Sequence, residues 1–193
     1  MSNILVLYAS SHGTTRRIAS CIATRLRSRN HHVDLKNAKE GVTVPSGYDA
    51  VVVGSPVHGG RYARCVRRFV QQHRDELQRL RCAFFSVSMT VAGGGEDLAL
   101  PQFLQRTGWR PTLAVSLAGA LPYTRYNPLL RLVMKHMSRK AGQPTDTSCD
   151  HDFIDWAAVT AFADDIANHL APPIGPYPIA ATPPLPPDAS ILA

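Results

Sequence analysis

Ile4-Leu5-Val6-Leu7-Tyr8, followed by Ser10-Ser11-His12-Gly13-Thr14-Thr15, is the stretch that decides the fold. A continuous run of apolar, β-favouring side chains reads as a strand buried on both faces, and the small polar cluster reads as the tight loop that ends it. From Thr15 to Asn30 the period changes. Ile18, Ile22 and Leu26 recur with Ala19 and Ala23 beside them, while Arg16, Arg17, Arg25, Arg27 and Arg29 fill other positions, which describes a helix with one buried face. Further β-rich runs at His32 to Leu35, Ala50 to Gly54, Cys82 to Val87 and Thr112 to Leu117 alternate with helix-like segments at Ala63 to Leu80 and Leu98 to Thr107. A last helix starts near Asp155 and carries Val159, Phe162, Ala163, Ile166 and Leu170. Alternating strands and helices with nearly all-apolar strands predict a doubly wound α/β domain around a parallel sheet. Ligands of such sheets bind beyond the carboxyl ends of the strands, where the strand order reverses, so the informative residues follow the strands.

A chain of 193 residues with 45% hydrophobic side chains supports one domain with a full core and excludes a wholly disordered polypeptide. No stretch approaches the ~20 apolar residues that span a bilayer. Met1 to Tyr8 has no positively charged leader, so a cytoplasmic location is expected. Cys21, Cys65, Cys82 and Cys149 form no CxxC pair and read as reduced thiols, with neither a metal site nor a disulfide framework expected. The net charge of +7 implies an anionic partner. The domain is assigned to residues 1–171, and the proline-crowded segment 172–193 reads as an extended or disordered tail, either a docking segment or a dispensable terminus.

Placed between a strand and a helix, Ser10 to Thr15 offers a phosphate close backbone approach, hydroxyl donors and the unpaired N–H groups of a helix start. The chain has neither G-x-x-x-x-G-K-[ST] nor G-x-G-x-x-G, so the anion is the phosphate of a mononucleotide rather than that of an ATP-type or dinucleotide ligand. An ordinary N-capped turn has the same composition. His12 can hold a phosphate through its imidazole or its backbone.

This loop resembles the flavodoxin signature [ST]-x-x-G-x-[TN], with Ser10, Gly13 and Thr15 at the matching positions. The segments Val53 to Tyr62, Phe85 to Ser88, Trp109-Arg110-Pro111 and Ala118-Gly119-Ala120-Leu121-Pro122-Tyr123-Thr124-Arg125-Tyr126, with Asp146 and Asp155-Trp156, are similar to one branch of these proteins, the menaquinone-dependent protoporphyrinogen oxidase family. The likeness covers roughly residues 3 to 170. It implies a five-stranded parallel sheet of order 2-1-3-4-5 and one noncovalent FMN. Ser10, Ser11, His12, Gly13, Thr14 and Thr15 would hold the phosphate, and the ring system would lie between a loop with Pro56, Val57, His58, Gly59 and Gly60 and a loop with Ser86, Ser88, Met89 and Thr90. Gly59 and Gly60 permit positive φ and a peptide that reorients when the flavin gains a proton, although a tight turn needs the same residues. The position of Gly59 is usually aromatic in the best-known members, which leaves Tyr62 or Met89 to cover the flavin here. No residue stands out as a nucleophile or an acid–base pair, as expected where the cofactor carries the chemistry.

From Leu98 to Thr145 there is no Asp or Glu, while Arg106, Arg110, Arg125, Arg131, Lys135, Arg139 and Lys140 are all cationic. Asn127-Pro128 starts a helix with Leu129, Leu130, Leu132, Val133, Met134 and Met137 on an apolar arc, opposite Arg131, Lys135 and Arg139. The helix suits an anionic membrane surface, with Tyr126, Leu129, Leu130, Val133, Met134 and Met137 in contact, and suits equally a helix packed on the core. Its region, about 119–150, occupies the place of the insert of long-chain flavodoxins. Arg110 and Arg125 are the candidate clamps for substrate propionates. Nucleic acid is not an expected partner, since stacking platforms and recognition motifs are missing.

The resemblance implies oxidation of protoporphyrinogen IX to protoporphyrin IX in haem synthesis, with electrons passed to menaquinone or ubiquinone by a protein peripheral on the inner face of the cell membrane, with homo-oligomerisation left open. The alternatives are a flavodoxin-type electron carrier, an FMN-dependent NAD(P)H:quinone reductase, and a scaffold that has lost FMN.

Overall fold

The computed structural model describes residues 1–42 and 47–169. The proline-rich segment 172–193 and Leu170 lie outside the described residues. Strand β1 (Asn3–Tyr8) runs into helix α1 (Thr14–Ser28), and β2 (His32–Asn37) follows. Next come β3 (Ala50–His58), the two-residue β4 (Arg61–Tyr62), and two short helices, α2 (Arg64–Gln72) and α3 (Arg74–Arg79). Strand β5 (Arg81–Ser88), α4 (Met89–Ala92), α5 (Ala99–Thr107) and β6 (Leu113–Ala118) complete the main body. An excursion through β7 (Ala120–Leu121), α6 (Pro128–Lys140) and β8 (His151–Asp152) leads to α7 (Trp156–His169).

The long strands pair in parallel in the order β2-β1-β3-β5-β6, which is the expected 2-1-3-4-5 once β4 is set aside as a hairpin arm on β3. Alternate side chains of each strand feed two cores. Ile4, Val6, Val52, Phe85 and Val87 meet α1 and α7 through Ile18, Ile22, Leu26, Val159, Phe162 and Ile166. On the other face Leu5, Leu7, Val51, Val53 and Phe84 meet Val66, Phe69, Val70, Leu77, Phe103 and Trp109. Each large apolar side chain in this set contributes ~1.5–3 kcal/mol relative to exposure, so the two-sided burial of the central strands sets the layer order. All four cysteines are free thiols.

The expected helix at Ala63 to Leu80 is interrupted at His73, which ends α2 and begins α3. The segment Met89 to Glu96 opens with the α4 turn, because the Ser88 hydroxyl accepts a hydrogen bond from the Thr90 N–H and caps it. The insert is closed by an antiparallel pair, Ala120 with Asp152 and Leu121 with His151, a ladder too short for periodicity to reveal.

Candidate flavin site

At the carboxyl edge Tyr8, the last residue of β1, lies beside Gly54 and Gly54 beside Phe85, and β3 and β5 run on past the end of β1. The order reverses between β1 and β3, so the loops after β1, β3 and β5 surround the switch point. In the first loop the Ser10 hydroxyl accepts from the Gly13 N–H at 3.0 Å, and Gly13 turns the chain with φ +94°, a conformation costly for any residue with a Cβ. Helix α1 then begins without a side-chain cap and with no acid in its first turn. Its first amides are therefore free donors at the positive end of a helix dipole, the arrangement a phosphate monoester requires. Thr15 is buried, Ser11 is exposed, and the His12 imidazole stands edge-on to Tyr126 at 4.8 Å between centroids. Partial burial, followed by the charges of Lys39 and Arg125, lowers the His12 pKa.

The second loop is a hairpin. Val57 pairs with Tyr62 and His58 with Arg61, and the two residues between, Gly59 and Gly60, have φ of +56° and +70°. Two consecutive positive φ values are the signature of a two-residue hairpin turn whose twist matches its strands, so the glycine pair is required by the turn itself. A side chain at either glycine would meet nothing within 4 Å, so this wall of the site is bare backbone. Pro56 is buried in the strand, Val57 is half-buried and His58 is exposed. Tyr62 cannot cover a flavin: its ring packs edge-on against Phe84 and Phe103 and is 4% exposed. Met89 is turned toward the insert, packed with Leu121, Tyr123 and Tyr126.

The Ser86 and Ser88 hydroxyls are engaged internally rather than presented to a ligand. Ser86 donates to Asp97, which also accepts from Ser116 at 2.9 Å and from the Tyr62 hydroxyl at 3.4 Å, while its other oxygen accepts from the Ala99 N–H at 3.1 Å. Asp97 thus ties β4, β5, β6 and the start of α5 together beneath the site. Sequence reasoning missed it, although an acid two residues before Ala99 is an ordinary helix-start signal.

Arg110 and Arg125, the candidate propionate clamps, lie at opposite edges of the sheet. Arg110 precedes β6, whereas Arg125 follows it, in the 3-10 turn Tyr123–Arg125. The Arg125 guanidinium instead reaches the first loop, donating from Nη1 to the His12 carbonyl at 3.0 Å. The apolar arc of α6 is also divided. Tyr126 is buried, and Leu130 and Met134 pack inward on Tyr123 and Leu121, because Arg131 donates to the Tyr123 and Tyr126 carbonyls and pins the start of the helix to that segment. Leu129, Leu132, Val133 and Met137 remain exposed. Tyr126, Leu130 and Met134 are therefore not on the outward face.

The Flavodoxin domain family model matches residues 5–148. The chain is 32% identical over 170 residues to a protein from Leishmania major named protoporphyrinogen IX dehydrogenase [quinone], covering 84% of this chain and 74% of that protein. The protein of the same name from Escherichia coli K12 is 32% identical over 173 residues, with coverage of 85% and 94%. Among solved structures, oxidised flavodoxin 1 from Bacillus cereus matches with a TM-score of 0.57 at 15% identity, covering 88% of this chain and all of that one, which is a likeness of fold. The chain belongs to the flavodoxin domain family, within its branch of protoporphyrinogen IX dehydrogenases (quinone), which are oxidoreductases.

Proposed function

We propose that this chain binds one FMN noncovalently and oxidises protoporphyrinogen IX to protoporphyrin IX, with electrons passed to menaquinone or ubiquinone. The observation that carries the reading is the uncapped, acid-free start of α1 behind Gly13, at the sheet's switch point, in a chain similar over most of its length to dehydrogenases of that name. FMN, when bound, supplies reversible two-electron transfer, so a six-electron oxidation requires three cycles and three quinones. The protein's own part is positional. Ser10 to Thr15 hold the phosphate, and the Gly59-Gly60 peptides and the β5–α4 turn border the ring.

The bare backbone at Gly59 and Gly60 favours a broad, flat reductant, since no side chain there competes for the ring face. Outward Leu129, Leu132, Val133 and Met137, with Lys135, Arg139 and Lys140 on the same helix, support contact with an anionic membrane surface, where a lipid-soluble quinone resides. Among the described residues no helix is long and apolar enough to cross a membrane.

The deciding experiment follows visible absorbance of the protein with FMN, then anaerobic protoporphyrinogen, then a soluble quinone. A bound-flavin spectrum that bleaches with protoporphyrinogen and returns with quinone is expected. Bleaching by NADH alone would transfer the assignment to an NAD(P)H:quinone reductase, and no reduction by either donor would leave an electron carrier.

A further inference from the structure

We propose that Arg125 of the insert is the cation that reads the phosphate of the cofactor, and that flavin loading therefore fixes the position of α6. This rests on the FMN reading above. The first-strand loop, Ser10 to Thr15, supplies amides and hydroxyls but no Lys or Arg of its own. Arg125 approaches it from 113 positions away in sequence, with Nη1 on the His12 carbonyl at 3.0 Å and 2.7 Å from where a Cβ on Gly13 would lie. The guanidinium thus rests on the backbone that turns into the cradle. Its bond to His12 uses one N–H of a group that carries several, and a guanidinium pairs with phosphate through two parallel bonds.

The surrounding charges make a cation there necessary. A hollow of about 100 Å³ between the loop and the insert is lined by His12, Thr14, Arg17, Arg125, Asp150 and Asp152 among others. Asp152 is paired with Arg17 at 2.7 Å. Asp150 accepts from the Thr124 N–H and hydroxyl at 2.9 and 2.8 Å, and those bonds, with the charge of Arg125, hold its carboxyl below the usual range, so it stays ionised. A dianionic phosphate brought toward this carboxylate would be repelled unless Arg125 neutralised it.

The same arginine is linked to α6. It ends the 3-10 turn Tyr123–Arg125, is followed by buried Tyr126, and α6 begins two residues later, with Arg131 fastened to the carbonyls of Tyr123 and Tyr126. A bond from Arg125 to phosphate therefore restrains the segment that carries the helix, and by linkage a restrained insert strengthens cofactor binding.

The test compares FMN with riboflavin, which offers the same ring and no phosphate, by flavin-fluorescence titration of the full chain and of Arg125→Gln and Arg125→Lys. Arg125→Gln is expected to weaken FMN binding by about tenfold or more while leaving riboflavin unchanged, with Arg125→Lys in between. Amide hydrogen exchange over residues 119–150 is expected to slow with FMN but not with riboflavin, and the difference to vanish in Arg125→Gln. Equal losses for both flavins would show a merely structural arginine, and unchanged FMN affinity in Arg125→Gln would overturn the inference while leaving the FMN reading intact. Wild-type protein that binds neither flavin would overturn both.

Discussion

Gly54 and Phe85 are registered neighbours on β3 and β5, and a Cβ on Gly54 would fall 2.0 Å from the Phe85 Cζ. The ring lies across the glycine and is fully buried against the α1 and α7 side of the sheet, with Phe162 edge-on at 6.5 Å. The absence of a side chain at position 54 is thus a packing requirement for the strand that leads into the second loop. Gly54→Ala is expected to cost about 2–3 kcal/mol by overpacking, read as a lower urea midpoint with an unchanged slope.

Asp97 is the shared acceptor of Ser86, Ser116 and Tyr62. Its removal in Asp97→Ala leaves partly or fully buried hydroxyls without that partner and is expected to cost about 2–3 kcal/mol. Asp97→Asn keeps one oxygen acceptor and should cost less. The order of denaturation midpoints, wild type above Asn above Ala, checks this.

Helices α1 and α7 are joined where Arg25 grips Asp164 at 2.8 and 2.9 Å and Arg29 adds a bond at 2.9 Å. Hydrogen bonds from Arg25, then Arg29, hold the Asp164 pKa at about 2, below its ordinary 3.8. A folded-state value below the unfolded one means a contribution complete above about 3.8 and lost as pH falls through about 2. The midpoint gap between wild type and Asp164→Asn should be constant from pH 7 to pH 5 and close toward pH 2; because the pair is largely exposed, the gap should also shrink with added salt.

On α6, Leu132 and Val133 point outward at 66% and 47% exposure. Leu132→Glu with Val133→Glu is expected to weaken binding to vesicles containing anionic lipid by about tenfold or more, with FMN affinity unchanged. Sedimentation with vesicles measures it, and unaltered binding would remove the membrane role of this helix.

What was legible in the sequence was what is local or periodic. Ile4 to Tyr8 announces a doubly buried strand, Ile18, Ile22 and Leu26 announce the face of α1, and Ser10 to Thr15 is a loop whose function lies in its own backbone. The bound side chains were harder. Ser86 sits near the carboxyl end of its strand, as a ligand residue would, yet the acid that claims its hydroxyl sits eleven residues on in an irregular segment. Arg110 and Arg125 share one basic stretch, and only the direction of β6 puts them at opposite ends of the sheet. The arc on α6 read as one stripe because periodicity cannot show that Arg131 turns inward to carbonyls and carries Leu130 and Met134 with it.

The β7–β8 pair brings the two ends of the excursion together, and the Phe153 N–H donates to the Gly119 carbonyl at 3.2 Å. The chain leaves the frame and re-enters it at one doorway, so the sheet experiences the excursion as a closed loop whatever it contains. Closure entropy grows only with the logarithm of loop length, so lengthening, shortening or rewriting the residues between the two strands costs the frame little. Evolution can therefore revise much of the excursion, Arg125 apart, without renegotiating the sheet from which it departs.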